Sequence, residues 1–343
     1  METIKDIAKK CGVGVSTVSR ALNNHPDINT ETKAMIMEVI HKHNYIPNNS
    51  ARNLKRSNAK VIAVLMKGIT NPFFSNMIQI IEKETRKRKY SFILQRVEER
   101  ENELDVAIEL VKEKRLKGII FLGAVISNTN EQLARLKVPF VISTSRLVQN
   151  GEGKEVPICS SVSVDDFAES YKMVDYLCSL GHKKVAILAS HADDDSIGKL
   201  RYAGYLKALR DHGITPDEAL TCHMKGKQDS YSMETGYRLM RQLLDSKVEF
   251  TAVYAIADSI AIGACRAIAE AGRKIPEDYS VAGFDGQEIG SYYIPSLTTI
   301  RQPIEKMAQM TIELLFQEIS KENGHKQIVL PGELLKREST EKR

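Results

Sequence analysis

The chain has 343 residues, 42% of them apolar, enough for two or three domains with cores of their own. Five cysteines, scattered and without a CxxC pair, exclude a disulfide frame or zinc site and point to reduced thiols packed as small hydrophobes. The longest apolar run, around Gly118–Ile126, falls short of a membrane span, and the polar start METIKDIAKK excludes a secretory signal, so the expected location is cytoplasmic.

The net charge of +5 sits at one end. Met1–Lys60 carry ten Lys and Arg against five Asp and Glu, and the remainder holds equal numbers of each sign. A basic head on an electroneutral body suits a polyanion-binding module joined to a separate domain.

Within the head, Thr3 and Asp6 are spaced as a capping box for a helix through Ile4, Ile7 and Ala8. Gly12-Val13-Gly14 breaks it, with Val13 free to pack between helices. A second helix over about Val15–Asn23 buries Val18 and Leu22 and leaves Val15, Ser16, Thr17, Ser19 and Arg20 near its exposed N-terminal side. A third starts after Asn29-Thr30, buries Ile36, Val39 and Ile40, and stops before Pro47. Two helices joined by a tight turn form a helix-turn-helix, whose second helix meets base edges. The glycine pair also begins a GxGxx pattern, but a helix precedes it and Thr17 occupies the third glycine position, so a dinucleotide loop is excluded.

The segments TIKDIAKKCGVGVSTVSRALN and NYIPNNSARNLKRS resemble the head of the lactose/galactose repressor (LacI/GalR) family of bacterial transcriptional regulators. One departure is Gly14, where the family usually places a Ser as helix N-cap; Gly caps only a few tenths of a kcal/mol less well. The resemblance implies that Val15, Ser16 and Arg20 select the operator. Arg20 suits guanine O6 and N7, Val15 a thymine methyl, and Ser16 either partner type. Core packing is the alternative for Val15. Thr17, Ser19 and Asn23 are expected to hold phosphates and register. Asn48–Arg56 is short, polar and basic, with Arg52, Lys55 and Arg56, and a helix of that length is marginal alone. The resemblance implies a hinge helix that folds on DNA, with Ser50, Ala51 and Leu54 on one face and Leu54 wedged into a minor-groove step. A plain linker is the alternative.

From Val61 onward, short β-rich runs alternate with amphipathic helical stretches. Strands are expected at Val61–Met66, Ser91–Val97, Gly118–Gly123, Pro139–Ser143, Cys159–Val164, Val185–Ser190, Thr251–Ala257 and Tyr279–Phe284. Helices are expected at Phe74–Arg88, Leu104–Lys114, Asn130–Leu136, Phe167–Leu180, Leu200–His212, Glu234–Leu244 and Ser259–Ala271. Two such blocks make an α/β body of two parallel-sheet lobes facing across a cleft.

The body also resembles the family, in GHKKVAILAS, RYAGYLKAL, AIADSIAIGACRAIAEAGRKIPEDYSVAGFDG and SLTTIRQP. The implied fold is a two-lobed periplasmic-binding-protein-like body. The implied domains are a helix-turn-helix over 1–47, a hinge over 48–60 and an effector-binding and dimerisation unit over 61–343. Crossings between lobes are expected near Ser160–Ser163, Gly290–Ile294 and Glu322–Lys326. They divide the body into a first lobe of about 61–160 plus 293–322 and a second of about 163–290 plus 326–343. Arg201 stands where the family clamps its effector, Asp258 where it binds hydroxyls, and Asp285 lies in the GFDG run. Phe73, Phe74 and Tyr231 match positions that present rings to the ligand. Plain alternatives are a surface charge for Arg201, a helix cap for Asp258 and core packing for the phenylalanines. Thr144-Ser145-Arg146 stands where many relatives have an aspartate, and one carboxylate of Asp193-Asp194-Asp195 is a candidate for entering the cleft.

The expected function is a ligand-controlled repressor of a carbohydrate operon, binding a palindromic operator as a homodimer, with no cofactor. Helices after Pro72 and around Glu305–Ser320 are candidates for the dimer seam. The runner-up is a catabolite regulator whose corepressor is a phosphocarrier protein. An enzyme finds no GxSxG, HExxH or GxxxxGK[ST], and a transport component lacks a leader.

Overall fold

A computed structural model describes residues 3–22, 24–43, 45, 60–67, 71–98, 101–123, 130–145, 158–194, 196–226, 230–321 and 324–343. The chain divides into two compact units, Met1–Ala59 and Lys60–Arg343.

The first unit contains α1 (Ile4–Lys10), α2 (Val15–Leu22) and α3 (Thr30–Lys42). The capping box that starts α1 is formed in both directions. Thr3 N donates to Asp6 Oδ2 at 2.8 Å, and Asp6 N donates to Thr3 Oγ1 at 3.4 Å. Gly12 turns the chain at φ +63°, a value that glycine adopts without strain. The Asn29 side-chain Oδ1 accepts from Glu31 N at 2.8 Å and caps the start of α3. Ile7, Ala8, Val18, Ala21, Ile36 and Ile40 form the core, with Val13, Leu22 and Val39 half-buried around it. Ala21 thus takes the central place expected of Leu22.

The second unit is built on two six-stranded sheets. The first comprises β1 (Val61–Met66), β2 (Ser91–Arg96), β3 (Gly118–Leu122), β4 (Phe140–Ser143), β5 (Ser160–Val164) and β11 (Gln327–Leu330), in the order β11-β5-β4-β3-β1-β2 and parallel throughout. The second comprises β6 (Val185–Ala189), β7 (Thr221–His223), β8 (Ala252–Ala255), β9 (Ser280–Asp285), β10 (Thr298–Arg301) and β12 (Glu333–Leu335), in the order β12-β10-β9-β8-β6-β7. Among the described residues only β12 runs antiparallel to its neighbour. Central strands such as β3 and β6 are buried at every position, as sheets covered on both faces require. The helices of this unit are α4 (Phe73–Lys87), α5 (Glu103–Lys114), α6 (Asn130–Leu133), α7 (Asp166–Ser179), α8 (Ile197–Asp211), α9 (Met233–Asp245), α10 (Asp258–Glu270), α11 (Ile289–Tyr292) and α12 (Ile304–Ser320), among the described residues.

The chain passes between sheets after Val164, between Arg301 and Ile304, and between Leu330 and Glu333. All three lie later than expected from sequence. Thr298–Arg301 stays in the second sheet because it pairs with β9, Thr298 opposite Ala282. Gln327–Leu330 stays in the first because it pairs with β5, Gln327 opposite Ser161. Among the described residues, those within 61–164 and 304–330 therefore form the first lobe, and those within 166–301 and 333–343 the second.

Candidate functional site

The recognition face of the head lies on α2. The Gly14 carbonyl accepts from Thr17 N at 2.9 Å and Val18 N at 3.2 Å, so the helix starts on Gly14 as expected. Val18 and Ala21 turn inward. Val15 is 41% exposed and therefore outside the core, Ser16 and Arg20 are exposed, and Thr17 and Ser19 are half-buried. The face thus carries a methyl-bearing side chain, a hydroxyl and a guanidinium within two turns, a set able to contact base edges. Asn23, Ser50, Ala51, Leu54 and Lys55 lie outside the described residues.

In the body, the carboxyl ends of both sheets meet, and polar residues that follow the strands converge there. Arg201 on α8 is 2% exposed. Its Nε donates to Asp166 Oδ1 at 2.8 Å and its Nη1 to the Ile256 carbonyl at 2.6 Å; Nη1 also lies 3.7 Å from Asp285 Oδ1. Its guanidinium stacks 3.7 Å above the Phe284 ring. Burial would pull the Arg201 pKa down, but Asp166 and Asp285 outweigh it and hold the pKa up. For Asp166 and Asp285 themselves, burial outweighs the attraction of Arg201, and both carboxyls sit above the usual carboxylate range.

Asp285 is the hub. Asn71 Nδ2 donates to its Oδ2 at 3.1 Å and Gln302 Nε2 to its Oδ1 at 2.9 Å. Its backbone has φ +124°, a region that residues with a side chain seldom adopt and that persists only where surrounding contacts hold it. Asn71 Oδ1 accepts from Phe73 N and from Gln287 Nε2, each at 3.0 Å.

Asp258 lies beneath this cluster, fully buried. Its oxygens accept from Thr299 Oγ1 and Gln287 N, both at 2.6 Å, so they serve the second lobe's own backbone and side chains instead of facing the cleft. Burial, followed by the charge of Asp285, pushes its carboxyl up to about 8. Phe73 and Phe74 join the apolar core as an edge-to-face pair 5.4 Å apart. The Tyr231 hydroxyl is buried without a hydrogen-bond partner among the described residues, as is Gln287 Oε1. Burial, followed by the charge of Asp194, raises the Tyr231 pKa; Asp195 and Arg146 lie outside the described residues. Thr144 Oγ1 accepts from Gly123 N at 3.0 Å.

Sequence reasoning missed Asn71, Asp166, Gln287 and Gln302. Asp166 follows β5 and Gln302 follows β10 at their carboxyl ends. That position is the one signal that could have singled them out.

Among the described residues no helix is long and apolar enough to cross a membrane. Burial pushes the Cys159 and Cys265 thiols up to about 12, which suits packing and not reactivity.

Residues 3–48 match the model of bacterial regulatory proteins of the lacI family, and residues 174–340 match a periplasmic binding protein-like domain. The chain is 39% identical over 338 residues to the HTH-type transcriptional regulator MalR of Clostridium butyricum, covering 98% of both chains. It is also similar to the lac repressor dimer bound to operator and the anti-inducer ONPF, with TM-score 0.72, 26% identity and 99% of each chain covered. A complex of the transcriptional regulator CelR with cellobiose aligns at TM-score 0.71 and 26% identity, over 99% of this chain and 100% of that one. A helix-turn-helix head on a two-lobed binding body defines a ligand-responsive DNA-binding transcriptional regulator, not an enzyme. The chain belongs to the lacI family of bacterial regulatory proteins.

Proposed function

We propose that this regulator represses a carbohydrate operon from the cytoplasm. It would sit as a homodimer on a palindromic operator, controlled by an unphosphorylated, hydroxyl-rich small molecule bound between the lobes. The buried set of Arg201, Asp166 and Asp285 carries this reading. It offers a planar donor fork beside two acceptors, which suits vicinal hydroxyls, and its excess of carboxylate opposes a phosphate. The unpartnered Tyr231 hydroxyl and Gln287 Oε1 add a donor and an acceptor that a polyol can use. The cellobiose held by CelR is a ligand of this chemistry. Tyr292 and Ile294, 78% and 90% exposed, supply apolar surface for a second copy.

The test is thermal unfolding of the full chain with cellobiose, other neutral sugars and their phosphates. A ligand at ~100 times its dissociation constant stabilises by about 2.7 kcal/mol, a rise of a few degrees. A neutral sugar should give that rise, Tyr231→Phe should weaken it, and the phosphates should give none. A response to phosphates alone contradicts the charge reading. No response to any sugar moves the assignment to a protein corepressor, with a phosphocarrier as the ligand to try next.

A further inference from the structure

The polar cluster is bonded to the parts of the body on which the lobe angle depends. Asp166, which pairs with Arg201, is the first helical residue after the first crossing; Val164 ends β5 and Asp166 opens α7. Gln302, which donates to Asp285, lies within the second crossing, between Arg301 and Ile304. Its backbone N also donates to the Asp285 carbonyl at 3.1 Å. Asn71 comes from the first lobe, four positions after Lys67 and one residue before Pro72, and its side chain is 8% exposed. It reaches across to Asp285 and Gln287 of the second lobe while holding the first amide of α4.

We propose that Asn71 is a positioning residue, a latch that ties the first lobe to Asp285 and so passes the state of the cluster to the lobe angle. A ligand that competes for Asp285, or that fixes it further, loosens or tightens this bond and the Gln302 bond together. Two of the three crossings then feel the change, the second through the two Gln302 bonds to Asp285 and the first through Arg201, which pairs with both Asp166 and Asp285. The inference rests on the cleft being the effector site, but its test needs no ligand. A failed sugar screen and a failed latch are therefore distinguishable.

The side chain performs two tasks, and substitution separates them. Aspartate at position 71 keeps an oxygen for Phe73 N but replaces the donor facing Asp285 with a second carboxylate. Serine keeps a local acceptor but is too short to reach Asp285. Combining Asn71→Asp with Asp285→Asn exchanges acceptor and donor and rebuilds the bond with reversed polarity.

The experiment is amide hydrogen exchange of the full-length protein, wild type and variants, at a pH and temperature where thermal melts show all of them folded. It follows peptides covering 162–168 and 299–306. Asn71→Asp should raise exchange there at least tenfold, Asn71→Ser by less, and the double variant should return it to near the wild-type rate. Unchanged exchange in Asn71→Asp overturns the proposal, since it shows that the crossings do not depend on the bond. So does a double variant that exchanges faster than either single one, because a merely structural role for each residue gives additive damage and no rescue. If Asn71→Asp does not fold, Asn71→Ser decides, with unchanged exchange counting against the latch.

Discussion

The two units of this chain hold their functional residues in opposite ways. On α2 the candidate base-reading side chains Val15, Ser16 and Arg20 project from a helix whose inner face alone is fixed, by Val18 and Ala21. Their loss costs the fold little because they touch little of it. In the body, Arg201, Asp166, Asp285, Asn71 and Gln302 are each buried and each bonded to another, so site and scaffold are the same atoms.

The sharpest way to break this comparison is Arg201→Ala. It leaves Asp166 and Asp285 buried without their cation, and removing one partner of a buried pair typically costs about 3–5 kcal/mol. Chemical denaturation of the body should show a loss of that size. A loss under ~1 kcal/mol would place Arg201 outside the load of the fold. Asp258 provides a pH test. Its folded value of about 8 lies above its unfolded value, so the folded state holds the proton more tightly. The resulting stability is full in acid and is lost as pH rises from about 4 towards 8. Melting temperatures measured across pH 5 to 8 should therefore fall in the wild type, and Asp258→Asn should flatten the fall.

In the head the expected effects are smaller and of a different kind. Arg20→Ala should weaken operator binding by roughly 1–3 kcal/mol, relax choice at one base pair and leave the melt of the body unchanged. A binding-site selection with and without the substitution measures both. Thr3→Ala removes the cap of α1 and should cost the head about 1 kcal/mol. A cost near zero would mean that tertiary packing alone sets the start of that helix.

The same contrast explains what the sequence revealed. Local signals carry the head: the Thr3/Asp6 spacing, the glycines at 12 and 14, and the apolar period through Ile36 and Ile40 all match the observed helices. In the body, the long apolar strands were legible for the same reason. Thr298–Arg301 and Gln327–Leu330 were not, since short strands of mixed polarity are defined by their neighbours in the sheet, and the positions of the lobe crossings followed from that omission. Arg201 and Asp285 were visible through the family resemblance. Asn71 and Gln302 were not, because an amide acquires its role only when a residue more than two hundred positions away, or on another strand, is placed against it.

The most direct test of a DNA-reading head governed by a hydroxyl-binding cleft is a selection from random DNA with the full-length protein, run with and without a pool of neutral sugars. The expected result is enrichment of a palindrome, retention that falls steeply with salt as phosphate contacts are screened, and a change in retained DNA when the sugars are present. Enrichment of no palindrome, or a palindrome whose retention ignores every ligand in the pool while the protein melts unchanged with all of them, would contradict it.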